Sequence, residues 1–160
     1  MNIILEGPDG SGKSTLAKLL SKATGYPLIA GEGPPKYPGE IDERIARLAT
    51  HRNSIFDRHP AISSPIYDQF RTNAAPISAE LIAKFYCSDI FIIYCRGAEI
   101  LTHDINDNPS GSDTPEYLVW LERHHRLIFK SYEEWALEHA HFVYRKGSMS
   151  SLGILAELLT

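Results

Sequence analysis

Apolar residues change their spacing several times along this chain, and each change marks an element. Residues 2–6 are a short apolar run that stops at a glycine-rich stretch, which predicts a buried strand. Over 13–23, Leu16, Leu19, Leu20 and Ala23 recur at helical spacing until Gly25 ends the pattern. Residues 27–30 read as a second short strand. The segment 31–39 holds three glycines and three prolines and must be a loop. In 40–51, Ile41, Ile45, Leu48 and Ala49 share one face and charges take the other, the signature of an amphipathic helix. Residues 54–57 predict a third strand ended by a charged pair, and 63–72 and 78–86 predict helices. The clearest strand is 89–95, apolar on both faces. A long helix over 116–140, a strand over 141–144 and a helix over 151–159 complete the chain.

Continuous apolar strands alternating with helices predict an α/β fold, a parallel sheet covered on both sides in three α/β/α layers. Ligands of such sheets bind at the carboxyl ends of the strands. That rule gathers 7–15, Asp57, Arg58 and the segment after Cys95 at one edge of the molecule.

Length and composition narrow the class. The 160 residues suit one domain, and 43% hydrophobic with 22% charged residues is ordinary for a globular chain. A net charge of -4 argues against a nucleic-acid coat, which would normally be basic. Cys87 and Cys95 sit in apolar surroundings without metal-ligand spacing and read as small buried hydrophobes. Residues 1–6 lack a basic segment and a cleavage site, and no apolar run approaches a membrane span. A reduced, cytoplasmic compartment without membrane contact is therefore expected.

The chemistry starts at Gly7-Pro8-Asp9-Gly10-Ser11-Gly12-Lys13-Ser14, a complete Walker A pattern between a predicted strand and a predicted helix. Gly7, Gly10 and Gly12 let the backbone curl so that successive N–H groups, including that of Ser11, aim at phosphate oxygens. The following helix adds its positive N-terminal end. Lys13 is placed to reach the β- and γ-phosphates, Ser14 to bind Mg2+, and Thr15 to hold the α-phosphate. ATP with Mg2+ is the expected ligand.

Two motifs carry a resemblance to a family. The run from Leu5 through Glu6-Gly7-Pro8-Asp9-Gly10-Ser11-Gly12-Lys13-Ser14-Thr15 resembles the start of thymidylate kinases, which carry an acid at the Asp9 position. Phe56-Asp57-Arg58-His59 is similar to that family's Asp-Arg-Tyr/His motif, and Ser63-Ser64-Pro65-Ile66-Tyr67 resembles the serine and tyrosine that follow it. The resemblance implies a single P-loop kinase domain over 1–160, a sheet ordered 2-3-1-4-5 and a lid at 102–115. It further implies that Asp9 touches the sugar 3′-hydroxyl of an acceptor nucleotide. The residues agree, since an acid inside an anion-binding loop is costly without a cation or hydroxyl partner. Asp57, at a strand end, is expected to hold metal or take the acceptor proton, and Arg58 to grip phosphate. His59 occupies a motif position, and Tyr67 and Phe70 lie where an acceptor base would stack. Arg145, in the segment Arg145-Lys146-Gly147-Ser148, corresponds to the loop that surrounds adenine in related kinases.

The expected reaction is transfer of the γ-phosphoryl of ATP to a (deoxy)nucleoside monophosphate, with Lys13, Asp57 and Arg58 as the catalytic set. Small-molecule nucleotides are the expected partners, and a homodimer is one arrangement that the family brings with it. Two other classes stay open: a kinase acting on a nucleoside, modified base or polynucleotide end, and an NTPase or switch without a small acceptor. The lid segment 102–115 has no Lys or Arg, so cations are sought in Arg96, Arg123, Arg126 or the helix carrying Arg44, Arg47 and Arg52. Asp104, Asp107 and Asp113 within it either bind a metal or a cationic group or belong to a solvated loop.

Overall fold

A computed structural model describes residues 1–101 and 114–159; the predicted lid and its three aspartates lie outside them, apart from Thr114 and Pro115. The elements run β1 (Asn2–Glu6), α1 (Lys13–Thr24), β2 (Leu28–Ala30), α2 (Glu40–Leu48), β3 (Ile55–Asp57), α3 (Pro60–Asp68), α4 (Ala79–Tyr86), β4 (Ile90–Arg96), α5 (Pro115–His139), β5 (Phe142–Arg145) and α6 (Met149–Leu159). Five strands form one sheet in the order β2-β3-β1-β4-β5, each neighbouring pair parallel. Both the order and the parallel sense match expectation.

The strands alternate between two cores because successive side chains point to opposite faces. Ile3, Leu5, Ile55, Ile93 and Cys95 meet Leu16, Ala17 and Leu20 of α1 and Leu155 of α6. Ile4, Phe56, Ile92 and Tyr94 meet α2 through Ile41 and Ile45, α3 through Ile62 and Ile66, and α5 through Ile128 and Tyr132. Two helical layers therefore sandwich the sheet. Among the described residues no helix is long and apolar enough to cross a membrane.

One helix starts earlier than its apolar spacing suggests. The reading of 63–72 becomes Pro60–Asp68 because His59 caps it: His59 Nδ1 accepts the Ala61 N–H at 3.2 Å, and Pro60 takes the first turn, where its fixed φ is already helical. Helix α2 likewise closes at Leu48, short of the expected 51. The loop 31–39 is held by Arg44, whose guanidinium donates to the Gly33 carbonyl at 2.6 Å and to Glu40 Oε1 at 2.6 Å.

Candidate active site

The phosphate loop leaves β1 through Gly7 because no other residue fits there. A Cβ at this position would stand 2.1 Å from the Cys95 carbonyl oxygen on β4, and the φ is +150°. The loop then turns into α1 at Gly12, which is left-handed (φ 84°) and gives the helix no side-chain cap. The first N–H groups of α1 are thus without a side-chain partner at the mouth of the loop, which suits an anion. Lys13 is buried and folds back across the loop, donating to the Pro8 carbonyl at 2.7 Å and to Ser11 Oγ at 3.1 Å. Burial, then the nearby Arg58, lower its pKa to about 8, against the opposing pull of Asp9. Ser14 and Thr15 are exposed in the first helical turn.

Facing the loop is a polar hub that joins four segments. Asp9 Oδ1 accepts from Arg58 at 3.1 Å, and Asp9 Oδ2 accepts the Tyr67 hydroxyl at 2.7 Å. A second Arg58 N–H reaches the Tyr132 hydroxyl at 3.1 Å, which itself donates to Glu6 Oε2 at 2.8 Å. Glu6 Oε1 accepts the His59 backbone N–H at 2.6 Å. Arg58 also lies over the Tyr67 ring, 5.2 Å from its centroid. Its backbone is left-handed at φ 74°, so these contacts hold a conformation that L-residues avoid.

Burial pushes the Asp9 carboxyl up, but Arg58, Lys13, the Tyr67 hydroxyl and His125 outweigh it and the net shift is downward. Glu6 is fully buried, and burial raises its pKa in spite of Arg58 and its hydrogen bonds. Arg58 is raised well above its ordinary value: burial opposes its charge, and Tyr67 and Asp9 lead the groups that overcome it.

The expected site residues separate into two groups. Gly7, Asp9, Gly10, Ser11, Gly12, Lys13, Ser14 and Thr15 form the loop and its helix, and Asp57, Arg58 and Tyr67 stand opposite. His59, also expected to bind substrate, turns its ring into the core. It is 3% exposed, stacks on Phe85 at 4.3 Å between centroids, and lines a cavity of about 290 Å³ between α2 and α4 with Asn2 and Ile90. Those last residues begin β1 and β4, so the cavity reaches from His59 toward the end of the sheet opposite the phosphate loop. The cause is its capping bond, which turns the imidazole inward with the start of α3. Burial lowers its pKa to about 3.

Phe70 is half-buried and 6.0 Å from the His124 ring, which stacks on Trp120, the middle of an aromatic row with Tyr67 and Tyr117. Arg145 is exposed at the end of β5, and its neighbour Lys146 lies over Gly12, where a Cβ would meet its Cγ at 3.2 Å. Of the cations sought for a lid, Arg44, Arg96 and Arg126 are committed to Glu40, Glu133 and Glu99.

Two members of the hub escape sequence reasoning. Glu6 carried a signal, an acid at the last position of a buried strand directly before the loop. Tyr132, in the middle of a 25-residue helix, carried none. His125, on the same helix, is buried as well, 2.8 Å from the Ala98 carbonyl oxygen. Mg2+ takes hard oxygen ligands, and the Ser14 hydroxyl and the Asp57 carboxylate are oxygen donors of that kind beside the loop.

No family model matches the chain, and no curated protein sequence matches it. Solved structures do. The YorR protein of Bacillus subtilis, crystallised in complex with phosphorylated GDP, aligns over 99% of this chain and 94% of its own with a TM-score of 0.72 and 23% identity. Deoxyadenosine kinase from M. mycoides, with its products dCMP and a flexible dCDP bound, aligns over 99% and 98% with a TM-score of 0.64 and 20% identity. Thymidylate kinase from Ehrlichia chaffeensis aligns over 100% and 98% with a TM-score of 0.52 and 16% identity. The chain has the fold of the P-loop kinases.

Proposed function

We propose that this chain is an ATP-dependent phosphotransferase that moves the γ-phosphoryl group to a (deoxy)nucleoside monophosphate. The observation that carries the reading is the pairing of Asp9, inside the anion-binding loop, with Arg58 and Tyr67 across from it. A loop that served ATP alone would gain nothing from a carboxylate at its tip. A second substrate with hydroxyls and a phosphate uses both groups.

The donor's phosphates would lie over the N–H groups of α1, with Lys13 leaving its loop acceptors to meet them. Mg2+, held by Ser14 and Asp57, would neutralise charge on the β- and γ-phosphates. Lys13 and Arg58 would bracket the migrating group with positive charge, where the barrier to transfer is electrostatic. Asp57 would orient the acceptor oxygen. Arg58 has two N–H groups engaged with Asp9 and Tyr132, and the rest of its fork would grip the acceptor phosphate. The aromatic row from Tyr67 to Tyr117 would flank the acceptor base.

One observation favours a second reading, with a nucleoside as acceptor. Arg58 is already neutralised by Asp9, as it would be in a site with no acceptor phosphate to bind. A coupled ADP-release assay over common nucleosides and nucleoside monophosphates decides between them. The first reading expects strong turnover with one or two monophosphates and none with nucleosides. ATP hydrolysis that no acceptor stimulates would reject both.

A further inference from the structure

His59 carries a proton that no group of the described protein receives. Its Nδ1 accepts the Ala61 N–H, so in the neutral ring the proton sits on Nε2. The residue's other bonds run through its backbone, whose N–H donates to Glu6 and whose carbonyl accepts the Ser63 hydroxyl. Nε2 is thus without an acceptor among the described residues, although His59 is only 3% exposed. Nor is it sealed in by protein atoms: the one fully enclosed side-chain atom without a partner among those residues is His125 Nδ1. Nε2 therefore borders open space, and the space that the ring lines is the cavity between α2 and α4. Buried polar atoms are seldom left unmet, so a donor facing a cavity calls for an acceptor inside it.

The walls of the cavity limit what can bring that acceptor. Ile4, Ile45, Leu48, Phe56, Leu81 and Phe85 line it with apolar surface. The other polar groups around it are already engaged. The Asn2 side chain donates to the His51 carbonyl at 2.9 Å and accepts the Ser54 N–H at 3.1 Å, and the Ser88 hydroxyl donates to the Phe85 carbonyl at 2.6 Å. Lys84 pairs with Glu80 at 2.7 Å, Asp89 pairs with the Met1 ammonium at 2.9 Å, and Arg52 donates to the Ala49 and His51 carbonyls. A buried water needs at least about two polar partners, and His59 offers one. An apolar cavity of about 150 Å³ takes up benzene. At about 290 Å³ this one has room for a body of roughly two fused rings.

We propose that this cavity is a second binding site, for a planar apolar molecule of about two fused rings that presents a hydrogen-bond acceptor to the His59 Nε2–H. The site is distinct from the phosphate loop, because the cavity reaches toward the start of β1 and β4 and the loop leaves β1 at its other end. It does not depend on the proposed phosphoryl transfer.

Two probes of matched shape test the contact: quinoline, whose ring nitrogen is an acceptor, and naphthalene, which has none. Equilibrium binding of each is measured to wild type, His59→Phe and Ala49→Trp, with and without Mg2+-ATP. Phenylalanine keeps a ring against Phe85 and removes the N–H, and tryptophan in place of the exposed Ala49 plugs the cavity from α2. The affinity of quinoline relative to naphthalene should fall about fivefold or more in His59→Phe, the size of one hydrogen bond. Ala49→Trp should abolish binding of both, and Mg2+-ATP should displace neither. In wild type the Nε2-bound proton of His59 should shift in NMR spectra with quinoline more than with naphthalene, which tests the contact even where His59→Phe fails to fold. The inference is overturned if the relative affinity survives His59→Phe, if the His59 proton responds alike to both probes, as a resident water would give, or if Ala49→Trp binds them as wild type does. It is equally overturned if Mg2+-ATP displaces the probes, or if neither binds wild type below about 1 mM.

Discussion

Replacing His59 with asparagine should make the protein less stable at neutral pH and more stable in acid. The imidazole stacks on Phe85 at 4.3 Å, is 3% exposed and accepts the Ala61 N–H. Asparagine keeps the cap, since it ranks among the best N-cap residues. It loses the ring contact and leaves a void, together about 2 kcal/mol. The proton term runs the other way. Burial lowers the folded pKa of His59 to about 3, whereas the unfolded chain titrates near its ordinary value of 6.5. Between these values the unfolded state binds a proton that the folded state refuses, so stability falls as pH falls. Each pH unit costs about 1.4 kcal/mol, which gives about 2 kcal/mol at pH 5. Asparagine does not titrate and escapes that loss. Urea unfolding of the two proteins from pH 7.5 to 4 should therefore give stability curves that cross near pH 5. A difference that stays constant with pH would show that His59 is not held neutral in the core. The same variant should leave the KM for either substrate within about twofold, because the ring is packed between Phe56 and Phe85 in the core; a larger rise would make His59 a substrate contact.

Lys13→Ala should abolish phosphoryl transfer and ATP binding in calorimetry with the fold intact, and wild-type ATP affinity should weaken above pH 8, by at most about tenfold per unit, as Lys13 loses its proton. Arg58→Ala strands Glu6 and Asp9 without their cation and should cost about 3 kcal/mol in urea unfolding. Arg58→Lys should recover little of this, because one ammonium cannot serve Asp9 and Tyr132 with the same fork. Gly7→Ala should destabilise by more than about 2 kcal/mol, since its Cβ would fall 2.1 Å from the Cys95 oxygen. Gly10→Ala is the control: its Cβ would meet nothing within 4 Å, and only the φ of +76° opposes it, at a cost of about 1 kcal/mol in the same assay.

Much of this architecture is legible in the chain because it is written in local patterns. The run Asn2–Glu6 before the glycines, and the apolar spacing of α1 behind them, identify the loop and both its flanks. Asp57 and Arg58 could be placed beside it because parallel strands bring their carboxyl ends to one edge. What was not legible depends on direction. His59 occupies a motif position, yet nothing in its spacing says that its ring turns inward as the cap of α3. Histidine is not a favoured capping residue, so apolar spacing alone starts that helix three residues late. Tyr132 and His125 sit seven residues apart on one helix among other aromatics, and only the packing of α5 on β4 and α3 shows that both reach the loop's side.

The hub also bears on the order in which the site assembles. Arg58 is tied to Asp9 on the phosphate loop, to Tyr132 on α5 and, at 4.0 Å, to Glu6 on β1, and its strained backbone would relax if these contacts were lost. The positive charge facing the loop is therefore fixed before any nucleotide binds, and its cost is already met in folding. Lys13 is different. Its ammonium rests on loop oxygens that a phosphate would displace, so it must move to act. The free site thus holds one cation in place and one in reserve. Donor binding alone should change the surroundings of Lys13 and leave Arg58 where it stands. Acceptor binding should draw on the unused N–H groups of Arg58 without breaking its bond to Asp9. On that geometry the two substrates can bind in either order, and initial-rate kinetics should give intersecting lines; a strictly ordered pattern would mean that the hub itself rearranges.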